Sequence, residues 1–168
     1  MIDVREIKGV WPRMGVGVMD LEGYLRRRGV WFRVLEKHST IHTKDASRVT
    51  GIPLERITKS LVFKADDMPV LAIIPGDRKV DAVKLAKVIG VERVELVPFD
   101  EAERFSGYPP GGTPPVHHTN ISKVVFDTEL MRFNTIYGGG GSTNKLIELK
   151  IQDALQLTGG TAADISKR

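Results

Sequence analysis

The residues whose types and spacing are best suited to a reaction or to ligand binding lie in one proline- and glycine-rich segment. This segment reads SGYPPGGTPPVHH, from Ser106 to His118. Four prolines and three glycines among its thirteen residues exclude a helix interior or a central strand. Proline fixes φ and lacks an N–H, and glycine is costly inside regular structure. The segment predicts a rigid loop whose Gly111 and Gly112 let a ligand approach the backbone closely. On composition alone, a stiff surface connector is the alternative.

A second glycine-rich segment, Gly138 to Gly141, follows a predicted strand. It fits either a second wall of a ligand site or a flexible hairpin tip. Neither glycine segment matches a phosphate-binding P-loop or a dinucleotide fingerprint, because the lysine-serine and acidic signals that complete those motifs are missing. The glycines therefore predict close backbone approach without naming a nucleotide.

Lys59 is the charged residue that the strand pattern singles out. It lies in a predicted strand over residues 57–65, where Ile57, Lys59, Leu61 and Phe63 share one face. That face otherwise reads as buried. A lysine in such a place extends its amine to water, guards a sheet edge or lines a pocket. The alternation leaves these possibilities open.

Other common reaction chemistries find no support in the residues. The chain has no cysteine, which excludes disulfides, thiolate nucleophiles and cysteine metal sites. His38 and His42 lie in an extended segment without a zincin-spaced carboxylate, and His117 and His118 are adjacent, so we expect no metal and no cofactor. No serine lies in a G-x-S-x-G elbow. Two glycine loops and a lysine fit a site that positions water with backbone groups, and they fit a binding module equally well.

The length and net charge of the chain limit the number of domains and the kind of partner that we expect. At 168 residues, with a net charge of +4, the chain predicts one mildly basic domain. This charge favours a polyanionic partner such as RNA, although many basic domains bind none. Arg26, Arg27 and Arg28 end a predicted helix, where they complement its dipole or contact phosphate. No apolar segment is long enough for a membrane span, and the N-terminus lacks the apolar stretch of a signal peptide. We therefore expect a cytoplasmic protein without membrane association.

The pattern of elements predicts an α+β fold. A mixed, mainly antiparallel β-sheet surrounded by helices is expected, rather than a Rossmann or barrel fold, because strands and helices mix without strict alternation. Residues 1–19 are expected to be an N-terminal extension that packs through Trp11, and residues 20–168 a single domain. The predicted helices cover 21–28, 43–49 (capped by Thr43), 82–89, 98–105 and 151–158, and the predicted strands 30–35, 57–65, 69–74, 93–97, 123–127, 134–137 and 145–149.

Four blocks in order resemble the YbaK/ProX family, free-standing aminoacyl-tRNA deacylases related to the editing domain of bacterial prolyl-tRNA synthetases. The resemblance runs from about Leu21 to Lys167. The blocks are HTKDASRVTGIPLERITKSLVFKAD, KVDAVKLAKVIGVERVELV, SGYPPGGTPPVHH and TIYGGGGSTNKLIELKIQDALQLTGGTAADIS. The resemblance implies a mixed sheet with one pocket for the 3′ end of a charged tRNA, and hydrolysis of the ester that joins a wrong amino acid to the terminal adenosine.

The resemblance also implies roles for particular residues. The family's invariant lysine corresponds to Lys59, and its GGxxP loop to Gly111, Gly112 and Pro115, so we expect Lys59, Gly111 and Gly112 to be catalytic. A water would attack the ester, helped by the substrate's own ribose hydroxyl or amino-acid group. Expected substrate-binding residues are His42, Thr43, Pro115, His117, Gly139, Gly140 and Gly141, with weaker phosphate contacts from Arg26, Arg27 and Arg28.

Departures from the family leave the amino acid open. Relatives often carry Phe-Gly or Leu-Gly in place of Val116-His117. Some carry an acid or a histidine in place of Leu146, and others a serine in place of Gly139. The expected substrate is a mischarged tRNA, with tRNA(Pro) carrying alanine or cysteine as the candidate that the resemblance implies. We expect tRNA rather than DNA as partner, and both a monomer and a homodimer fit the sequence.

Two further hypotheses compete with the deacylase. The first is a non-catalytic tRNA-binding or adaptor protein on the same scaffold, which would bind tRNA in a salt-dependent way and leave the ester intact. The second is a binder of nucleotides or other small ligands that uses the two glycine loops. The residues alone do not separate these hypotheses.

Overall fold

The computed structural model describes residues 20–168. The predicted extension over residues 1–19, with its packing through Trp11, lies outside the described residues.

The larger of the sheets in this part of the chain has five strands in the order β5-β2-β3-β6-β9. β2 pairs antiparallel with both β3 and β5, whereas β6 lies parallel to β3 and to β9. Asp66, with φ of 55°, turns the predicted hairpin between β2 and β3. The strands are β2 (Thr58–Ala65), β3 (Met68–Pro75), β5 (Val94–Leu96), β6 (Lys123–Asp127) and β9 (Thr161–Ala163).

Two smaller sheets complete the strand framework. An antiparallel sheet has the order β1-β8-β7, and one parallel bridge between Ile57 and Tyr137 joins it to the start of β2. A two-stranded sheet pairs β4 with β10 near the C-terminus. The strands are β1 (Phe32–Glu36), β7 (Thr135–Gly139), β8 (Lys145–Lys150), β4 (Lys79–Val80) and β10 (Ser166–Lys167). The α+β class and the mainly antiparallel pairing are confirmed, but the strands form three sheets rather than one.

Five α-helices pack around these sheets in the described chain, and their ends follow the sequence signals. Asp20 Oδ1 accepts a hydrogen bond from Gly23 N at 2.8 Å, and Asp81 Oδ1 accepts from Val83 N and Lys84 N. Each helix ends at a glycine with positive φ. The helices are α1 (Leu21–Arg28), α2 (Thr43–Thr50), α3 (Ala82–Ile89), α4 (Glu103–Ser106) and α5 (Ile151–Thr158).

Several local predictions were wrong. His42, not Thr43, is the N-cap residue of α2, and it makes no side-chain capping bond. The helix predicted over residues 98–105 is reduced to α4, because a turn occupies Pro98 to Ala102. The apolar stripe of the helix predicted over residues 82–89 includes Ala82 and places it in the core, but Ala82 is exposed. Within the second glycine segment, Gly138 and Gly139 belong to β7, and Gly140 and Gly141 begin the connection to β8.

The main core lies between the sheets and α1 and α5, around Leu25, Leu71, Phe126 and Leu149. A second cluster lies under α3 around Leu85 and Ile74. A small third cluster joins Leu35, Ala46, Ile57, Tyr137 and Leu146. Among residues 20–168, no helix is both long enough and apolar enough to cross a membrane.

Candidate functional site

A cavity of about 530 Å³ opens where β2, the segment before α2 and the proline- and glycine-rich loop meet. β5 pairs with only the Phe63–Ala65 part of β2. Val97 N donates a hydrogen bond to Val62 O on the side of β2 that faces β5. The backbone N–H and C=O groups of Ser60, two residues earlier, point to this same side. The strand therefore presents an edge to the cavity over its first residues, because β5 has turned away.

Lys59 lies on this part of β2 and lines the cavity. Its Nζ donates a hydrogen bond of 2.8 Å to the carbonyl oxygen of Arg78, in the turn that follows β3. Burial lowers the pKa of Lys59, and the nearby Asp77 carboxylate opposes that effect. An ammonium group has three N–H donors. The bond to Arg78 leaves two of them for a ligand in the cavity.

A buried chain of polar groups holds the turn that anchors Lys59. Arg78 Nε donates to Ser166 Oγ at 2.6 Å, and Ser166 Oγ donates to Asp127 Oδ2 at 2.7 Å. Asp127 Oδ1 accepts from Ile165 N. Because Asp127 and Ser166 are fully buried, these bonds fix the C-terminal segment and, through it, the carbonyl that Lys59 contacts.

Three backbone segments meet at the opposite wall. Gly139 N donates to Thr113 O, and Gly141 N donates to Gly112 O at 2.9 Å, so the two glycine segments are bound to each other. The segment before α2 joins them, since Thr40 N donates to Thr143 O. Lys37 Nζ contacts the carbonyl of Thr143 and donates to Thr40 Oγ1. The wall is therefore made of backbone held by cross-links from three parts of the chain.

The close packing of this wall explains two of its glycines. Gly111 has φ of 81°, and a Cβ there would lie 2.7 Å from the Cα of Ile41. A Cβ on Gly139 would overlap the carbonyl carbon of Gly112 and lie 2.6 Å from the nitrogen and oxygen of Thr113. A serine at position 139 would therefore push the two glycine segments apart.

The first turn of α2 also faces the cavity, through His42, Thr43 and Lys44. The N-cap position has no side-chain hydrogen bond, so the first amides of the helix are not covered by a capping oxygen. Amides at a helix N-terminus attract negative charge. The first backbone N–H groups of α2 therefore form a set of hydrogen-bond donors beside the cavity.

Ser60 is a cavity residue that the sequence did not single out. Its Oγ is buried and has no hydrogen-bond partner among residues 20–168. A buried hydroxyl without a partner is uncommon in folded proteins and is costly to leave unpaired. The position next to Lys59 is the signal that could have drawn attention to it.

The charge of the lining is strongly positive. Six lysine or arginine residues line the cavity, against one acidic residue, Asp77; the six are Lys37, Lys44, Lys59, Arg78, Lys79 and Arg168. The floor beside them is apolar, with Ala46, Ile57 and Leu146. Such a cavity favours a ligand with an anionic part and a small uncharged part.

The structure brings five of the predicted site residues to the cavity: Lys59, Gly111, His42, Thr43 and Gly139. Four others lie behind its wall. Gly112 donates to Pro109 O and accepts from Gly141 N. Pro115 packs against Gly138, and Gly140 N donates to Lys145 O. The amides of Gly112, Gly139, Gly140 and Gly141 are thus used to hold the wall together.

His117 lies outside the lining and contacts it through Tyr108, which does line the cavity. His117 Nδ1 is 2.6 Å from Tyr108 Oη, and its ring stacks on Tyr24 with centroids 4.5 Å apart. Burial lowers the pKa of His117 and raises that of Tyr108. His117 has φ of 67°, a backbone conformation that is uncommon for residues other than glycine. The two ring contacts stabilise this backbone conformation.

The three arginines at the end of α1 do not line the cavity. Arg26 is 3.7 Å from the Glu22 carboxylate, Arg28 lies over the ring of Tyr24, and Arg27 is exposed. Their proposed contact with tRNA phosphate stays a prediction for a surface outside the cavity. Within residues 20–168, no group of three or more His, Asp or Glu side chains is arranged to hold a metal ion.

Comparison with known proteins places this geometry in a family. The sequence profile of the aminoacyl-tRNA editing domain matches residues 38–157. A protein of Enterococcus faecalis named "Putative Cys-tRNA(Pro)/Cys-tRNA(Cys) deacylase EbsC" is 33% identical over 129 residues, which are 76% of this chain and 79% of that protein. The proline–tRNA ligase of Nitratidesulfovibrio vulgaris is 37% identical over 90 residues. That match covers 53% of this chain and only 16% of the ligase's length.

Solved structures agree with the sequence relatives. A crystal structure of a hypothetical protein has a TM-score of 0.81 at 30% identity, covering 88% of this chain and 99% of that one. A crystal structure described as "a putative trans-editing enzyme for prolyl tRNA synthetase" has a TM-score of 0.78 at 27% identity, covering 88% and 95%. The chain belongs to the aminoacyl-tRNA editing domain family.

Proposed function

We propose that this chain is a trans-editing aminoacyl-tRNA deacylase that acts in the cytoplasm on the 3′ end of a mischarged tRNA. The observation that carries the proposal is the cavity, which combines six cationic residues, a single acidic one and a small apolar floor. The terminal nucleotide and ester of a charged tRNA present matching groups. Phosphates meet the cations, and the aminoacyl group meets the floor.

The reaction needs no nucleophile from the protein. A water oxygen bonds to the ester carbonyl carbon, the bond from that carbon to the ribose oxygen breaks, and the ribose oxygen takes up the proton that the water releases. The products are a free amino acid and a tRNA with a free terminal hydroxyl. Ser60 Oγ has no hydrogen-bonded base among residues 20–168, which argues against its use as the nucleophile.

Electrostatic stabilisation and positioning then carry the rate enhancement. The two N–H groups of Lys59 left free by Arg78, together with the first amides of α2, would hold the carbonyl oxygen as it gains charge. The cross-linked glycine wall would keep the ester in one orientation relative to the water. In this proposal Gly111 contacts substrate, whereas Gly112 acts by holding Gly111 and Gly141 in place.

For the substrate, we propose tRNA(Pro) carrying alanine or cysteine. Ala46, Ile57 and Leu146 form an apolar floor that suits a small uncharged side chain. The names of the relatives point to the same class, since one refers to Cys-tRNA(Pro) and another to prolyl-tRNA synthetase. A charged side chain would lose its hydration on this floor without gaining a partner.

The test is loss of ester from a panel of aminoacyl-tRNAs, measured against the spontaneous rate. We expect accelerated hydrolysis of Ala-tRNA(Pro) or Cys-tRNA(Pro), and no acceleration for Pro-tRNA(Pro). Salt-dependent binding of tRNA with every ester intact would instead support the adaptor alternative. Binding of free adenosine nucleotides as tight as that of tRNA would support the small-ligand alternative.

A further inference from the structure

Two aromatic side chains stand at the mouth of the cavity without filling it. The rings of His42 and Phe99 have centroids 6.3 Å apart and planes inclined by 21°. Both residues line the cavity, and both are exposed, Phe99 at 51% of its full area. A large aromatic ring left half in water beside a cavity forgoes the stabilisation that burial would provide.

The two rings are held on separate parts of the backbone. His42 is the N-cap residue of α2, and its carbonyl accepts hydrogen bonds from Asp45 N and Ala46 N. Phe99 follows β5 in a turn closed by the bond from Glu101 N to Pro98 O. Each backbone is fixed where its ring leaves it, so the fold sets where the rings are attached, and side-chain rotation adjusts the space between them.

The separation of the rings suits a flat ligand. Stacked nucleic-acid bases lie about 3.4 Å apart, so a base between two rings needs about 6.8 Å. The observed centroid distance of 6.3 Å is shorter than this and the ring planes are inclined by 21°, so a base enters after rotation of the two exposed side chains. Aromatic side chains in this arrangement are the usual platform for an unpaired base.

We infer that His42 and Phe99 form a base clamp for the terminal adenine of the tRNA, an inference that rests on the proposed function. If the ester lies between Lys59 and the apolar floor, the ribose follows and the base comes next, at the mouth of the cavity. Lys44 is a cavity residue two positions after His42 in the chain, where a flanking phosphate can meet it. The clamp binds the base by its faces, so it orients the ester without reading the amino acid.

The test uses an uncharged acceptor-stem RNA in which the terminal adenine is replaced by the fluorescent base 2-aminopurine. Stacking between aromatic rings quenches this fluorophore, so we expect quenching when the wild-type protein binds. Base stacking on an aromatic side chain is worth about 5- to 150-fold in affinity. Phe99→Leu and His42→Leu should each weaken binding by about tenfold and remove most of the quenching.

Three comparisons keep the test specific. Phe99→Tyr retains the ring and should retain the quenching. Val83→Ala removes a still more exposed apolar side chain on α3, outside the cavity lining, and should bind and quench like the wild type. Because Phe99 is exposed, its variants should melt within a few degrees of the wild-type protein, which separates a lost clamp from a lost fold.

The outcomes separate the clamp from the deacylase. Bound RNA without quenching, or quenching that survives both leucine variants, overturns the clamp. Hydrolysis of aminoacyl-tRNA without quenching overturns the clamp alone and leaves the deacylase standing. Quenching that depends on both rings in a protein that hydrolyses no ester supports the clamp and contradicts the proposed function.

Discussion

Gly139→Ala is the substitution whose effect can be worked out most directly from the packing of the site wall. The new Cβ would overlap the carbonyl carbon of Gly112 and lie 2.6 Å from two backbone atoms of Thr113. Backbone atoms cannot rotate away as the end of a flexible side chain can. The φ of Gly139 is not positive, so the cost comes from lack of space and not from backbone strain.

The loss of stability in Gly139→Ala follows from the separation of the two glycine segments that the new Cβ would force. Forcing extra volume into a packed site costs about 1–3 kcal/mol. Separation also breaks the bonds from Gly139 N to Thr113 O and from Gly141 N to Gly112 O, each worth about 0.5–1.5 kcal/mol net. The sum is about 2–6 kcal/mol. For a domain of this length that corresponds to a fall in melting temperature on the order of 10 °C.

The assay combines thermal unfolding with ester hydrolysis. We expect Gly139→Ala to melt well below the wild type and to lose deacylation at a temperature where it is still folded, because Gly111 and Thr113 move with the wall. Gly51→Ala is the control: Gly51 has φ of 75° but nothing within 4 Å of a Cβ, and it lies outside the cavity lining. It should cost roughly 1–2 kcal/mol of stability and leave activity intact. Wild-type melting and activity in Gly139→Ala would refute the reasoning.

Two further predictions concern Ser60 and His118. Ser60→Ala removes a buried cavity hydroxyl without a partner, so the free energy of unfolding should stay equal or rise by up to about 1 kcal/mol. If this hydroxyl bonds the substrate instead, deacylation should fall about tenfold in the same variant, and a loss of both stability and activity would mean that the hydroxyl serves the fold. Burial lowers the pKa of His118 from 6.5 to about 4. Between these pH values the unfolded chain binds the proton more readily than the folded protein does. The free energy of unfolding should therefore fall as the pH falls, by at most about 3 kcal/mol. His118→Gln, which can keep the hydrogen bond to Pro114 O, should flatten that part of the stability profile measured by urea unfolding, and an unchanged slope would contradict the assignment.

Local sequence signals predicted the elements and one key residue. Strand alternation marked Lys59, and capping residues marked α1, α3 and α5, because these features depend on neighbours within a few positions. Both faces of β2 turned out to be mostly buried, since Thr58 and Val62 are as enclosed as Ile57 and Phe63. Burial therefore does not distinguish the face of Lys59 from the opposite face, although Lys59 lines the cavity, which is one of the possibilities that the alternation left open.

The supports of the site could not be predicted, because they join distant residues. The bonds that tie Arg78 to Ser166 and Ser166 to Asp127 span 88 and 39 positions. The pairing of the two glycine segments likewise depends on the assembled sheets. The role of Phe99 was missed for a different reason. An isolated aromatic residue in a turn reads as core or as chance exposure until its distance from His42 is known.

The central claim is that a cation on β2 stabilises the transition state of ester hydrolysis in this cavity. Its most direct measurement compares single-turnover deacylation by the wild type, Lys59→Ala and Lys64→Ala on an aminoacyl-tRNA that the wild type cleaves. Lys64 lies on the same strand but is exposed and outside the cavity lining, so its variant should retain full activity. The account predicts that Lys59→Ala lowers the rate about 10²-fold or more, the scale of losing one electrostatic contact to the developing charge. Wild-type rates from folded Lys59→Ala would contradict it.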